Sequence, residues 1–345
     1  MIAAKGRRTA LHHEVQTMRV LPDCTVFIAA LHVFCPLLLL AGIGGCSPAT
    51  TRNALTLQGD ESGVDAVAFS PAGNVLASAG SDGTVRLWDV ATGEERRLLQ
   101  GHRDAVWALA FSPDGQTLAS GSRDGNVKLW DVAAGQIRNT LCGHTHWVRS
   151  VAFTPDGRTL VSASADGSLW LWNLAGEMRP AFREHESFFG TMALAPSGKS
   201  LATVSGPATV SVWDVATERK LATYPGDVIV VAAVAFSPDS QSLAIASMDG
   251  WVRLFEVLGG KERLSFRGHA GNARAVAFSP DGRILASGGS DSVVKLWDAV
   301  TGEERGTLTG HAQVITALAF APSGQTLASA SWDKTVRLWE LTPGR

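Results

Sequence analysis

His102, Ser120 and Asp124 bring together the residue types of a hydrolytic triad: a hydroxyl nucleophile, an imidazole base and a carboxylate to orient it. Trp130 follows closely in the same stretch. The same four types recur at the same spacing as His144, Ser162, Asp166 and Trp172, then as His269, Ser287, Asp291 and Trp297, and again as His311, Ser329, Asp333 and Trp339. An active site seldom occurs four times in one chain. These residues are therefore expected to be structural, with no catalytic role and no enzyme activity.

A second chemical pattern is Ala193-Leu-Ala-Pro-Ser-Gly198-Lys199-Ser200, which satisfies a loose phosphate-loop signature. That chemistry needs the loop to open a helix whose N-terminus holds the phosphate. Here the segment runs into LATVS, a strand-like run, so nucleotide binding is set aside. No metalloprotease, EF-hand or dinucleotide fingerprint is present. No cofactor and no metal site are expected. The cysteines Cys24, Cys35, Cys46 and Cys142 leave one thiol in the body of the chain, too few for a disulfide framework or a Cys-rich zinc site.

What positions the recurring residues is a repeat of the whole chain. Trp88, Trp130, Trp172, Trp213, Phe255, Trp297 and Trp339 follow one another at intervals of 42 residues, with one interval of 41. The clearest unit, GHRDAVWALAFSPDGQTLASGSRDGNVKLWDV, runs from Gly101 to Val132. VWALAF, TLASGS and NVKLWDV alternate and favour strands, and Pro-Asp-Gly and Arg-Asp-Gly supply the turns. IRNTLCG adds a fourth run. The 36 Gly and 11 Trp, beside a single Tyr, follow largely from this repetition. A formal net charge of -2, with 30 basic against 32 acidic residues, argues against a nucleic-acid binder, and 45% hydrophobic residues argue against disorder.

With Gly-His opening a unit and Trp-Asp closing its third strand, residues 54 to 341 resemble the WD-repeat family. The resemblance implies an all-β, seven-bladed propeller of four-stranded antiparallel blades around a channel. It also implies closure. The last unit stops at Leu341 without a fourth strand, before a tail of residues 342 to 345, while Ala54-Leu55-Thr56-Leu57 is a fourth strand without a blade. The N-terminal strand should complete the last blade and remove an open edge.

By the same resemblance, the turn Asp fixes the His, the His contacts the strand Ser, and the Ser reaches the Trp N–H. Three units depart from this: Asp60 stands for His in the first, Pro207-Ala208 for Asp-Gly in the fourth (which keeps His185), and Asp227, Ile245 and Phe255 for His, Ser and Trp in the fifth. Blades four and five are expected to be softer. Partners of such propellers usually sit on the narrow top face. The residues that fall there include Trp107, Arg123, Trp147, Arg149 and Phe188 in blades two to four, with Arg274 and Trp332 as outlying contributors. Trp and Arg are enriched in interface hot spots, so a protein or peptide is the expected partner of a monomeric propeller within a larger complex. Asp65 is the one acid among the top-face positions, and no His is among them, which leaves an enzymatic or small-ligand propeller as the less favoured alternative.

Residues 1 to 45 read as an export signal. Lys5, Arg7, Arg8 and Arg19 precede an apolar stretch, interrupted by His32 and Pro36, that barely reaches the ~20 residues a membrane span needs. Ile43-Gly44-Gly45-Cys46 resembles the lipobox of bacterial lipoproteins, which implies lipidation of Cys46 and a membrane anchor in the cell envelope. Ser47 after the Cys leans, by the same resemblance, towards an outer membrane. Residues 46 to 53 are the lipidated Cys and a short linker, SPATTRN, reaching no more than about 25 Å. Met18 is an alternative start. A cytoplasmic scaffold with a misassigned N-terminus is the other reading.

Overall fold

Short alternating runs separated by turns form hairpins, and the repeat strings those hairpins into sheets. The computed structural model describes residues 51–59, 61–174, 178–183, 189–206, 208–225 and 230–341. Among them are seven four-stranded antiparallel sheets. Blade one comprises Val64–Phe69, Val75–Gly80, Val85–Asp89 and Glu95–Leu99, in order from the channel outward. Blade two repeats this with Val106–Phe111, Thr117–Ser122, Asn126–Asp131 and Gln136–Cys142, and blades three to six follow in the same order. The innermost strands touch in series, and that of blade seven, Ile315–Phe320, returns to that of blade one. At this junction Thr316 Oγ1 donates to the Val64 carbonyl at 2.7 Å. The expected seven-bladed propeller is the fold.

Blade seven is assembled from both ends of the described chain. Thr326–Ser331 and Thr335–Leu341 continue its sheet, and Thr51–Gln58 supplies the outer strand. Thr51 lies opposite Leu341 and Gln58 opposite Thr335, and the Gly59 amide donates to the Lys334 carbonyl at 3.0 Å. The closing strand thus begins three residues before Ala54, and its backbone groups are paired with the last strand instead of leaving an open edge.

Burial follows the position of a strand within its blade. The second strand of blade two, TLASGS, is buried throughout, because a neighbouring blade packs on each face. Small side chains allow this approach: a Cβ added at Gly121 would lie 2.7 Å from Val148 Cγ1 of blade three. The outer strand ERRLL of blade one is exposed except for Leu99. The cores lie between blades. That between blades one and two joins Ala77, Leu87 and Leu99 to Val106, Leu118 and Trp130. Trp88, Trp172, Trp297 and Trp339 occupy the same place at other junctions, and Trp213 and Phe255, half-buried, at the remaining two. Burying a large apolar side chain contributes roughly 1.5–3 kcal/mol. The repeated aromatic residue is what joins each blade to the one before it.

Because strands alternate in direction, the connections alternate between faces. The turns from second to third strand and the loops entering each inner strand share one face, the upper face below. The other two kinds of turn share the lower face, where Thr51 begins the closing strand and Leu341 ends the last. Residues 1 to 50, with Cys46 and the expected signal and anchor, and the tail 342 to 345 lie outside the described residues.

Candidate functional site

The four His, Ser, Asp and Trp sets come together as hydrogen-bonded relays. In blade two, Trp130 Nε1 donates to Ser120 Oγ at 2.8 Å, Ser120 Oγ lies 2.7 Å from His102 Nε2, and His102 Nδ1 lies 2.9 Å from Asp124 Oδ2. Asp124 also accepts from the Arg103 and Asn126 amides. Blade six holds His269, Ser287, Asp291 and Trp297 in the same way, and blade seven holds His311, Ser329, Asp333 and Trp339. A neutral imidazole that donates from Nδ1 to the Asp and accepts at Nε2 from the Ser hydroxyl satisfies every polar group in the chain.

Electrostatics agrees with this proton arrangement. Burial pushes the His269 and His311 imidazoles below their ordinary value, more than Asp291 and Asp333 pull them up. Burial also opposes ionisation of Asp124, yet the bonds from His102 and the Arg103 and Asn126 amides hold its carboxyl well below the carboxylate range. Ser120, Ser162, Ser287 and Ser329 are 0% exposed, so no substrate reaches their hydroxyls. The relays fasten structure.

Blade three shows a variation that its sequence hides. His144 Nδ1 meets Ser168 Oγ at 3.0 Å, and that hydroxyl bonds Asp166, while His144 Nε2 and Trp172 Nε1 converge on Ser162 as in the other relays. The departing units find other solutions. In blades one and five, where His is missing, the turn carboxylate is held by an arginine of the third strand: Arg86 to Asp82 and Arg253 to Asp249, each at 3.1 Å. In blade four, Trp213 Nε1 donates to Thr203 Oγ1 at 2.9 Å. In blade five, Ile245 and Phe255 join an apolar cluster with Tyr224 of blade four, whose hydroxyl donates to the Glu256 and Val257 carbonyls at 3.1 and 3.0 Å. Asp60, His185, Pro207 and Asp227 lie outside the described residues. The Ala193–Ser200 segment runs from the end of the strand Phe189–Leu194 through a turn, closed by the Gly198 amide on the Ala195 carbonyl, into the strand Ser200–Ser205, as its sister units do.

Most of the expected partner-binding residues meet on the upper face. Trp107 and Trp147 pack edge to face with ring centres 5.3 Å apart. The Arg149 guanidinium lies 4.4 Å over Trp107 and 5.6 Å over Trp147, and that of Arg123 lies 5.0 Å over Trp147. His146 leans on Trp147 at 4.5 Å, and Arg123 Nε stands 3.7 Å from Asp104. Across the channel, Arg274 lies 4.8 Å over Trp332, which is 39% exposed. Trp332 Nε1 and Ser81 Oγ donate to the two carboxylate oxygens of Asp65, at 3.0 and 3.1 Å. Phe188 lies outside the described residues.

Arg274 and Trp332, on blades six and seven, stand across the channel from the cluster of blades two and three. Both line the mouth of the central channel with Asp65, Trp107 and Arg149, above a cavity of about 770 Å³. Burial raises the Asp65 carboxyl above its ordinary value, against the hydrogen bonds of Trp332 and Ser81 and the charges of Arg149 and Arg274. Burial likewise lowers Arg149. Asp104 and His146 also belong to this face, although neither stands at a top-face position of the repeat, whereas Asp65 does, as the one acid among those positions. Trp170 belongs elsewhere: it stacks on Trp172 at 5.5 Å and donates to Ser168. Trp251 lies under Arg253 at 5.5 Å. Cys142 is an exposed free thiol at the end of an outer strand. Among the described residues, no cluster of His, Cys, Asp or Glu is arranged to hold a metal ion, and no helix is long and apolar enough to cross a membrane.

A family model described as "WD domain, G-beta repeat" matches residues 52–89, 93–131, 135–173, 218–256, 260–298 and 302–340. The stretch between the third and fourth matches is the unit carrying Pro207-Ala208 and Thr203 in place of the repeated Asp-Gly and Ser. No curated protein matches the chain.

Proposed function

Because the chain belongs to the WD-repeat family, whose propellers are typically protein-interaction scaffolds, we propose that it is a non-catalytic platform binding a protein or peptide on its upper face. The observation that carries this reading is the concentration of Trp107, Trp332, Arg149 and Arg274 at the channel mouth, with Trp147 and Arg123 packed beside Trp107, so that three rings are partly exposed. A surface that meets only water gains nothing from such side chains, whereas aromatic and Arg anchors dominate interface energetics. The hydroxyls buried in the relays support a binding role over a hydrolytic one. Cross-linking and pull-down should capture a partner, and a Trp107→Ala, Trp147→Ala double variant should weaken its binding at least thirtyfold, the effect of losing ~2 kcal/mol at a hot spot. A partner that binds this variant unchanged would place the interface elsewhere.

The second part of the proposal is location. The basic, apolar and small-residue order of residues 1 to 45, ending at Ile43-Gly44-Gly45-Cys46, supports export and a lipid anchor on Cys46, with residues 47 onward outside the cytoplasm. Mass spectrometry of the mature N-terminus should find an acylated Cys46. An acylated Cys46 would exclude a cytoplasmic scaffold, and an unprocessed chain starting at Met1 or Met18 would overturn the lipid anchor.

A further inference from the structure

The channel mouth has a defined chemical polarity once its internal contacts are subtracted. The rings of Trp107, Trp147 and Trp332 are already covered by the chain's own guanidiniums. They do not offer an open aromatic cage for a partner's cation. The two arginines, by contrast, keep their hydrogen-bonding capacity: Nε of Arg149 and Nε of Arg274 are buried and meet no acceptor. Stacking holds each guanidinium by its flat face and leaves the N–H groups in its plane to an incoming group. Asp65 does not consume them, since its two oxygens take the Trp332 indole and the Ser81 hydroxyl. Both arginines line one cavity with Asp65, from opposite sides of the channel mouth.

We propose, resting on the reading of this face as the partner-binding surface, that Arg149 and Arg274 seat a carboxylate of an acidic peptide at the channel mouth. Two guanidiniums beside one carboxylate leave one unit of positive charge, which a single Glu or Asp side chain matches. A buried donor without an acceptor is costly, and a charged acceptor that satisfies it forms one of the stronger hydrogen bonds available to a protein. The cavity below is walled largely by Ala, Val and Met side chains, with room for the neighbouring residues of an extended segment. Among the described residues of this face, Asp65 and Asp104 offset part of the charge of Arg123, Arg149 and Arg274, and the whole chain is slightly acidic, unlike a surface built for a polyphosphate backbone.

The test is fluorescence anisotropy on the full chain with labelled hexaglutamate, hexaglutamine and a twelve-residue oligothymidylate at low salt. Hexaglutamate should bind and hexaglutamine should not, and Arg149→Gln with Arg274→Gln should weaken hexaglutamate at least tenfold. Arg149→Lys with Arg274→Lys keeps the charge but not the planar fork, so it should lose part of the affinity and serves if the Gln pair does not fold. Equal binding of the two peptides, no binding of hexaglutamate, or binding that ignores both arginine pairs would overturn the carboxylate seat. So would oligothymidylate binding more tightly and depending on the same arginines, which would assign the site to nucleic acid. If a captured partner depends on Trp107 and Trp147 while hexaglutamate ignores the arginines, the face stands and the seat falls. If hexaglutamate needs the arginines while the partner ignores both Trp residues, the seat stands and the face reading falls.

Discussion

In blade two, His102 ties the turn carboxylate of Asp124 to Ser120 and Trp130 inside a desolvated corner. In blade five, Ile245 and Phe255 fill the equivalent corner with hydrocarbon, and Asp249 turns to the partly exposed Arg253. Both arrangements satisfy their groups, but they fasten different things. The relay crosses the blade: Asp124 also holds the Arg103 amide, so the loop entering blade two is pinned to the turn after its second strand. Arg253 and Asp249 lie four residues apart and secure only their own hairpin. The pinned loops of blades two and three lead directly into Trp107 and Trp147, so relays stand beneath the aromatic part of the binding face.

Removing the closing strand sets the outer scale for this contrast. Deletion of residues 53 to 58 opens the ring for every blade alike, and the expected outcome is aggregation, read by light scattering and by loss of a monodisperse peak. Next in size is the contrast itself. Asp124→Ala should cost about 1–3 kcal/mol in urea unfolding, because it strands the buried His102 donor and frees the loop held through the Arg103 amide, whereas Asp249→Ala, losing a partly exposed ion pair and bonds within its own hairpin from Ser247 and the Trp251 amide, should cost less. Equal losses would mean that the relay contributes no more than a surface pair.

Acid should also separate the two kinds of blade. Burial lowers the imidazoles of His144, His269 and His311 in the folded state. Their contribution is complete above the ordinary value of 6.5 and is lost as pH falls below it, because the unfolded chain then binds the proton first. Asp333, where burial is outweighed by bonds from Thr335, Ala312 and His311, is held at about 2, so it adds a second loss as pH falls from about 3.8 to that value. Blade five has no relay imidazole and takes no part in the first loss. The urea midpoint should decline between pH 8 and pH 5, and a His269→Gln, His311→Gln variant should show a shallower decline. The smallest effect is at Ser240, which holds φ 62 in blade five where blade two has Gly115 at φ 70. Ser240→Gly relieves a left-handed backbone but loosens the unfolded chain and gives up the Ser197 amide bond, so stability should move by no more than ~0.5 kcal/mol.

Most of what lies inside one repeat could be read from the sequence. The interval of 42 residues located every described third-strand aromatic, the turn glycines located the hairpins, and the missing fourth strand after Leu341 located the closure. The relays of blades two, six and seven followed from spacing and resemblance together. What joins one repeat to another was not legible. That Arg149 of blade three covers Trp107 of blade two, or that Trp332 of blade seven donates to Asp65 of blade one, depends on which residues the ring brings face to face. Within a repeat, the bond of His144 to Ser168, beside an Asp166 that stands 3.4 Å away, and the replacement of His by Arg86 or Arg253 were hidden for another reason. Several side chains of different reach can satisfy one carboxylate, and spacing does not choose among them.

The closing strand also decides how the molecule bears load. Thr51 starts on the lower face and the strand runs toward the upper face, paired from Leu341 to Thr335. A pull on the chain upstream of Thr51, resisted by something gripped at the channel mouth, is directed along the strand and not across it. The pairs from Thr51 to Gln58 are then sheared together instead of being unzipped one after another. Tension between the two faces therefore meets the ring at its seam in the direction in which that seam is strongest.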